Sequence, residues 1–141
     1  MKRILIVLMC LALAGCSVIS VYKKTALENE TNLKMLSVGM SKQEVLSIMG
    51  TETKKGGYLD DYQSVDNPHK IEVIDVGRQT FEVVYYFTST RDDRMGGKYE
   101  PIKFQELTPL LFQKGKLVGW GADFMRNNVP QYDLLRFQHL L

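Results

Sequence analysis

Apolar residues recur at helical spacing in the first third of this chain. The pattern Val-x-x-Ile-Met at residues 45–49 follows the i, i+3, i+4 rule and predicts a short helix that ends at Gly50. Ser41 is placed as its N-cap, and Glu44 three residues later completes a capping box. A preceding helix is predicted across residues 31–39, which ends in a glycine suited to a left-handed cap.

Alternating apolar residues replace the helical pattern further along the chain and predict β-strands. The predicted strand segments are residues 71–74, 81–87, 107–113 and 116–124. Lys114 and Gly115 separate the last two and predict a tight hairpin turn. Apolar residues return to helical spacing in residues 132–141, which predicts a C-terminal helix that either docks on the protein's own surface or is presented to another protein.

This order of elements predicts an α+β fold. Two short N-terminal helices are expected to pack on a three- to four-stranded antiparallel sheet in a two-layer arrangement, with the C-terminal helix as an additional element. Residues 16–30 have no sustained apolar period and contain a polar cluster, so they are interpreted as a tether. The folded part is therefore predicted to be a single domain of residues 31–141.

The N-terminus has the layout of a secretory signal peptide. Lys2 and Arg3 precede an unbroken apolar run of eleven residues, 4–14, whereas a spanning helix needs roughly 20. The following residues, Leu-Ala-Gly-Cys-Ser at 13–17, resemble the lipobox of bacterial lipoproteins. The resemblance implies removal of residues 1–15 and a covalent lipid on Cys16. The serine after this cysteine favours the outer membrane, with the protein facing the periplasm.

The predicted processing also limits the chemistry of the mature chain. Cys10 would be removed and Cys16 would carry lipid, so no thiol remains for a nucleophile, a thiolate metal site or a disulfide. Loss of Lys2 and Arg3 leaves 16 Lys and Arg against 16 Asp and Glu, which makes the mature chain formally neutral. A neutral chain lacks the basic field that drives nucleic-acid binding.

No pattern of catalytic residues is apparent. His69 and His139 are far apart and neither has metal-ligand spacing around it. The acidic pairs Asp60-Asp61 and Asp92-Asp93 lie in polar segments, where solvated turn charges are the expected state. The sequence therefore predicts a protein that is not an enzyme, with no catalytic residues, no metal and no cofactor other than the covalent lipid.

The helix pair joined by Gly-Met-Ser-Lys-Gln-Glu-Val, residues 39–45, resembles the SmpA/OmlA (BamE-like) lipoprotein family. The closing Phe-Gln-Lys-Gly-Lys-Leu-Val-Gly-Trp-Gly, residues 112–121, is similar to the last hairpin of that family. The resemblance covers residues 33–124 and implies a β-lactamase-inhibitor-protein-like architecture. It also implies an envelope lipoprotein that serves outer-membrane β-barrel assembly as an accessory protein.

Large aromatic residues and glycines on the predicted strands are the candidate partner-binding residues. They are Tyr85, Gly119, Trp120, Gly121 and Phe124. If the helices pack on the face that the glycines leave smooth, Trp120 is left on the open face as a binding residue; otherwise the aromatics fill the core. Two functions stay open: a scaffold or assembly factor that binds another envelope protein, or a membrane-tethered module that binds a periplasmic ligand or enzyme in the manner of an inhibitor.

Overall fold

Three α-helices and two antiparallel sheets make up the described part of the chain. The computed structural model describes residues 20–58, 61–89, 101–130 and 132. The elements are α1 (Val21–Leu33), α2 (Lys42–Met49), β1 (Lys54–Tyr58), β2 (Asp61–Val65), β3 (Lys70–Val76), β4 (Gln79–Phe87), a 3₁₀ turn (Phe104–Glu106), β5 (Leu107–Gln113), β6 (Lys116–Trp120) and α3 (Ala122–Asn128).

The main sheet has four antiparallel strands in the order β3-β4-β5-β6, so each strand pairs with its neighbour in sequence. The β5–β6 turn has Lys114 at φ +50° and Gly115 at φ +73°, the left-handed values of a two-residue hairpin turn. The predicted hairpin is confirmed, as is the α+β fold with two N-terminal helices and an antiparallel sheet; the helix that follows the sheet is α3, at residues 122–128. A second sheet pairs β1 with β2, in a segment whose polar composition predicts only a connection.

Helices cover both faces of the main sheet. On one face, α2 packs Val45 and Met49 against side chains of β4, β5 and β6. On the other face, Met125 of α3 packs with Val83 and Leu111. The core thus extends to both sides of β4 and β5, whose residues from 83 to 87 and from 110 to 112 are all buried.

The first helix lies ten residues earlier than the sequence predicts. It spans Val21–Leu33, not residues 31–39, and Ser20 caps it by accepting a hydrogen bond from the Lys23 N–H. The buried residues of α1 are Val21, Thr25, Ala26 and Asn29. Half of them are polar, so this helix has no apolar period to detect. Residues 21–30 are therefore part of the folded domain, and the predicted tether boundary at residue 30 is wrong.

The predicted last strand, residues 116–124, is wrong beyond Trp120. Gly121 adopts φ +92°, a backbone conformation that breaks the strand, and α3 begins directly after it. The larger residues at 118, 120, 122 and 124 alternate with Gly119 and Gly121, and this spacing imitates a strand because small residues carry little information about period. The terminal helix predicted for residues 132–141 lies outside the described residues, apart from Tyr132.

The segment between α1 and α2 covers the outer edge of β6. Leu117 N donates to Met40 O at 2.8 Å and Gly39 N donates to Leu117 O at 2.8 Å. Lys42 N also donates to Gly115 O at 2.9 Å. The predicted capping box is present beside these bonds, and in it Ser41 N donates to a Glu44 carboxylate oxygen at 2.8 Å. Hydrogen bonds from Ser41 hold the pKa of Glu44 below its usual value. This Gly-Met-Ser-Lys segment therefore occupies one open edge of the sheet.

Candidate functional site: the open edge of β3

Gly119, one of the predicted partner-binding residues, is covered by the chain's own helix α3. A Cβ placed on Gly119 would lie 2.4 Å from Cζ of Phe124, so the aromatic ring sits directly on the glycine. The strand face that glycine leaves smooth is thus filled by Phe124, and a partner has no access to it here.

The other predicted residues divide between the two sides of the sheet. Tyr85 is fully buried, packs with Phe124 in the cluster under α3, and donates a hydrogen bond to Glu72 Oε1 at 2.5 Å. Burial raises the pKa of Tyr85. Trp120 is half-buried against the cluster under α2, and Gly121 precedes α3. The structure therefore brings Tyr85, Gly119 and Phe124 together but places Trp120 on the opposite face.

The edge of the main sheet formed by β3 carries exposed apolar side chains. Ile71 is 48% exposed and Val73 is 64% exposed, whereas β6 at the other edge is covered by residues 39–42. β3 is the terminal strand of the sheet, and no strand in the described ranges pairs with its outer side. The alternation of charged and β-branched residues in β3 was visible in the sequence, but the exposure of both apolar side chains was not.

The hairpin register shows which backbone groups of β3 face outward. A two-residue turn, Gly77-Arg78, joins β3 to β4, and Val76 pairs with Gln79 across it. In such a turn the flanking pair exchanges hydrogen bonds, and along an antiparallel ladder such pairs alternate with pairs that do not. The N–H and C=O groups of residues 71, 73 and 75 therefore point away from β4, towards the open edge.

A cleft of about 550 Å³ adjoins this edge. Its floor crosses β3, β4 and β5 through three residues that lie directly opposite one another, Val73, Glu82 and Phe112. The β3–β4 and β5–β6 turns contribute Arg78 and Lys114 to its walls. Lys42 at the start of α2 donates to Glu82 Oε1 at 2.5 Å, so the central carboxylate is already paired with a cation. The edge and the cleft together offer extended backbone pairing, a floor of two apolar side chains around a paired carboxylate, and positive charge at one end.

Residues that could hold a metal ion are dispersed. Within the described ranges there is no group of three or more His, Cys, Asp or Glu residues placed to bind a metal. Cys16, Asp60, His139 and the pair Asp92-Asp93 lie outside the described residues. No helix in the described part of the chain is both long and apolar enough to cross a membrane.

His69, at the start of β3, is expected to make stability depend on pH. Its Nδ1 atom is buried without a hydrogen-bond partner among the described atoms, and burial lowers the pKa of this imidazole, although Asp66 opposes the shift. The unfolded chain therefore binds a proton at a higher pH than the folded chain, and stability is lost as the pH falls below about 6.5. Urea unfolding at pH 7.5 and 5.5 measures this loss of stability. The His69→Gln protein is expected to lose less stability between these two pH values. An equal pH dependence in both proteins would show that His69 has no such role.

Comparison with protein families identifies the chain. Residues 15–127 match a family model described as a protein of unknown function, DUF3192. The chain belongs to this family. Among curated proteins, no match to this DUF3192 member was found, and no solved structure matches it either. The family match includes the capped helix α2, all four strands of the main sheet and most of α3, so the candidate edge lies within the region common to the family.

Proposed function

We propose that this DUF3192 protein is a non-enzymatic, lipid-anchored protein of the bacterial envelope that acts as a protein-binding scaffold or assembly factor. The observation that carries the proposal is the open edge of β3, with exposed Ile71 and Val73, beside a β6 edge that the chain covers itself. An extended segment of a protein partner adds to this edge as a further strand, which is a recurrent mode of recognition.

The edge lacks several of the features that normally prevent strand addition. Natural edge strands are protected by proline, bulges, short length or charged side chains. β3 has seven residues without a proline and pairs with β4 in an unbroken register from Lys70 to Val76. Its two most exposed large side chains, Ile71 and Val73, are apolar and stand on the same face. Three of the seven residues of β3 are charged, but a long and regular edge with two exposed apolar side chains favours a binding surface.

The lipobox resemblance supports an anchor at Cys16, on the periplasmic side of the outer membrane. Helix α1 starts at Val21, just after its cap at Ser20, and this cap lies only four positions after Cys16. Four residues span at most about 14 Å when fully extended. The lipid would therefore hold the folded domain close to the membrane surface, within reach of other membrane-associated proteins.

The resemblance to the SmpA/OmlA (BamE-like) family supports a role accessory to outer-membrane β-barrel assembly or envelope integrity. The alternative is a membrane-tethered module that binds a periplasmic ligand or enzyme, as an inhibitor does. The cleft beside Val73 favours this alternative, because its volume of about 550 Å³ would admit a side chain or a small ligand.

A photo-reactive amino acid at position 73 tests the proposal in living cells. The lipidated full-length chain in its native host is expected to give protein adducts when the probe replaces Val73. The matched control replaces Val38, which is 67% exposed and apolar but lies in the turn between α1 and α2. Mass spectrometry of the adducts distinguishes barrel-assembly proteins from a periplasmic enzyme.

The membrane anchor provides a second arm of the same experiment. With Cys16→Ser, the chain is expected to leave the membrane fraction and to lose adducts that depend on membrane proximity. A protein that stays membrane-bound with this substitution would disprove the anchor. Adducts that are absent from position 73, or equally abundant from position 38, would disprove the binding edge.

A further inference from the structure

We infer that the protein that pairs with the β3 edge is a second copy of this chain. The two β3 strands run antiparallel across a two-fold axis at Val73. The inference rests on the proposed function, since it names the partner of the same edge. It is carried by the sequence of β3, because antiparallel self-pairing places the apolar, exposed Val73 opposite its own copy and places no two like charges opposite each other.

Antiparallel self-pairing centred on Val73 uses the full length of the strand. The opposing pairs are Val73 with Val73, Ile71 with Asp75, Glu72 with Ile74, and Lys70 with Val76. The central pair joins outward-facing residues, so the two chains exchange backbone hydrogen bonds there and again at residues 71 and 75. No two like charges stand opposite each other, and the exposed Ile71 and Val73 of both copies meet on one face.

Other registers are less favourable. An axis at Glu72 places that carboxylate opposite its own copy, and like charges directly opposite in a sheet are destabilising. An axis at Ile71 pairs only the first part of the strand and leaves residues 74–76 without a partner. The register centred on Val73 therefore gives the longest pairing without charge repulsion.

Pairing with a second copy also leaves no uncovered edge on the main sheet, as far as the described residues show. It joins the two sheets into eight strands whose outer strands are both β6, and residues 39–42 already cover each β6 edge. An assembly of this kind closes at two copies because the contact is the same patch on both. A strand from an unrelated protein would instead bring an outer edge of its own.

Cysteine cross-linking tests this arrangement and its register. The mature chain has no cysteine apart from Cys16, and the periplasm is oxidising. In a hydrogen-bonded antiparallel pair the Cα atoms are about 5.5 Å apart, a separation that a disulfide spans. Full-length, lipidated Val73→Cys is expected to run at twice the chain mass on a non-reducing gel. Ile71→Cys alone is expected to stay monomeric, whereas Ile71→Cys expressed with Asp75→Cys is expected to form the mixed dimer.

A charged substitution at the proposed two-fold axis provides a second test of the dimer. Val73→Lys places two ammonium groups opposite each other at the axis, so the solution mass of the detergent-solubilised protein is expected to fall by half. Val73 is 64% exposed, so this change is expected to leave thermal unfolding of the single chain nearly unaltered. Val73→Thr keeps the shape without charge and serves as the matched control that stays dimeric.

The outcomes separate this inference from the proposed function. Equal amounts of disulfide-linked dimer from Val73→Cys and from Ile71→Cys would indicate cross-linking by random collision and would overturn the inference. A further outcome is that the photo-reactive probe at position 73 captures only a different protein while Val73→Cys gives no dimer. That result would overturn the inference of a second copy but would support the binding edge. No adduct and no dimer would overturn both.

Discussion

Replacing Asn29 with alanine is expected to lower the free energy of unfolding by about 2–4 kcal/mol, because two buried oxygen atoms lose their donor. Asn29 is fully buried, and its Nδ2 atom donates to Asn67 Oδ1 and to Phe87 O, both at 2.8 Å. Asn67 in turn donates to Met49 O at 3.1 Å. This short network links α1 to the end of β4 and to the end of α2, so its loss also loosens the packing of the first helix.

Urea unfolding of residues 16–141, with Cys16→Ser, measures the change. Asn127→Ala in α3 is the matched control, since that side chain is exposed, and it is expected to change stability by less than about 0.5 kcal/mol. The comparison bears directly on the location of the first helix. If Asn29→Ala were as mild as the control, residues 21–30 would behave as the tether that the sequence predicts, and the network would contribute nothing.

Gly119→Ala is expected to cost about 1–3 kcal/mol of stability, because a methyl group at this position overlaps the ring of Phe124. The added Cβ would lie 2.4 to 2.5 Å from three atoms of that ring. The overlapping atoms are at the far end of the Phe124 side chain, so the ring has to move to make room for the methyl group. It has to leave the strand, and α3 loses one of its contacts with the sheet.

A double-mutant cycle separates this overlap from a general effect of alanine in a strand. Removing the ring with Phe124→Ala is expected to abolish most of the cost of Gly119→Ala, which gives a coupling energy of about 1–3 kcal/mol. Lys116→Ala on the same strand is the control, because its side chain is exposed. Additive effects of the two substitutions would mean that Phe124 does not lie on Gly119 and that the glycine face is open to a partner.

The structure explains why the candidate site could not be read from the strand pattern. Trp120 and Phe124 have strand-like spacing in the sequence, yet Gly121 turns the chain between them and sends them to opposite faces of the sheet. Ile71 and Val73 are typical core residues by type. Their exposure follows from the position of β3 at the edge, beyond the reach of α2.

Local interactions account for what the sequence determined by itself. The capping box of Ser41 and Glu44, the Lys114-Gly115 turn and the alternation in β4 all depend on residues close together in the chain. For this reason the α+β class and the order of most elements could be predicted. The lipobox at Cys16 is a local pattern too, and its role remains a prediction.

Contacts between distant residues decided the rest. Burial of Asn29 against residues 67 and 87 makes α1 part of the domain, although its sequence has no apolar period. Phe124 covers Gly119, and the Gly-Met-Ser-Lys segment covers β6, so that within the described residues β3 is the uncovered edge of the main sheet. A sequence pattern reports which residues can be buried. Only the tertiary structure shows which surfaces the described residues cover and that the edge of β3 is exposed among them.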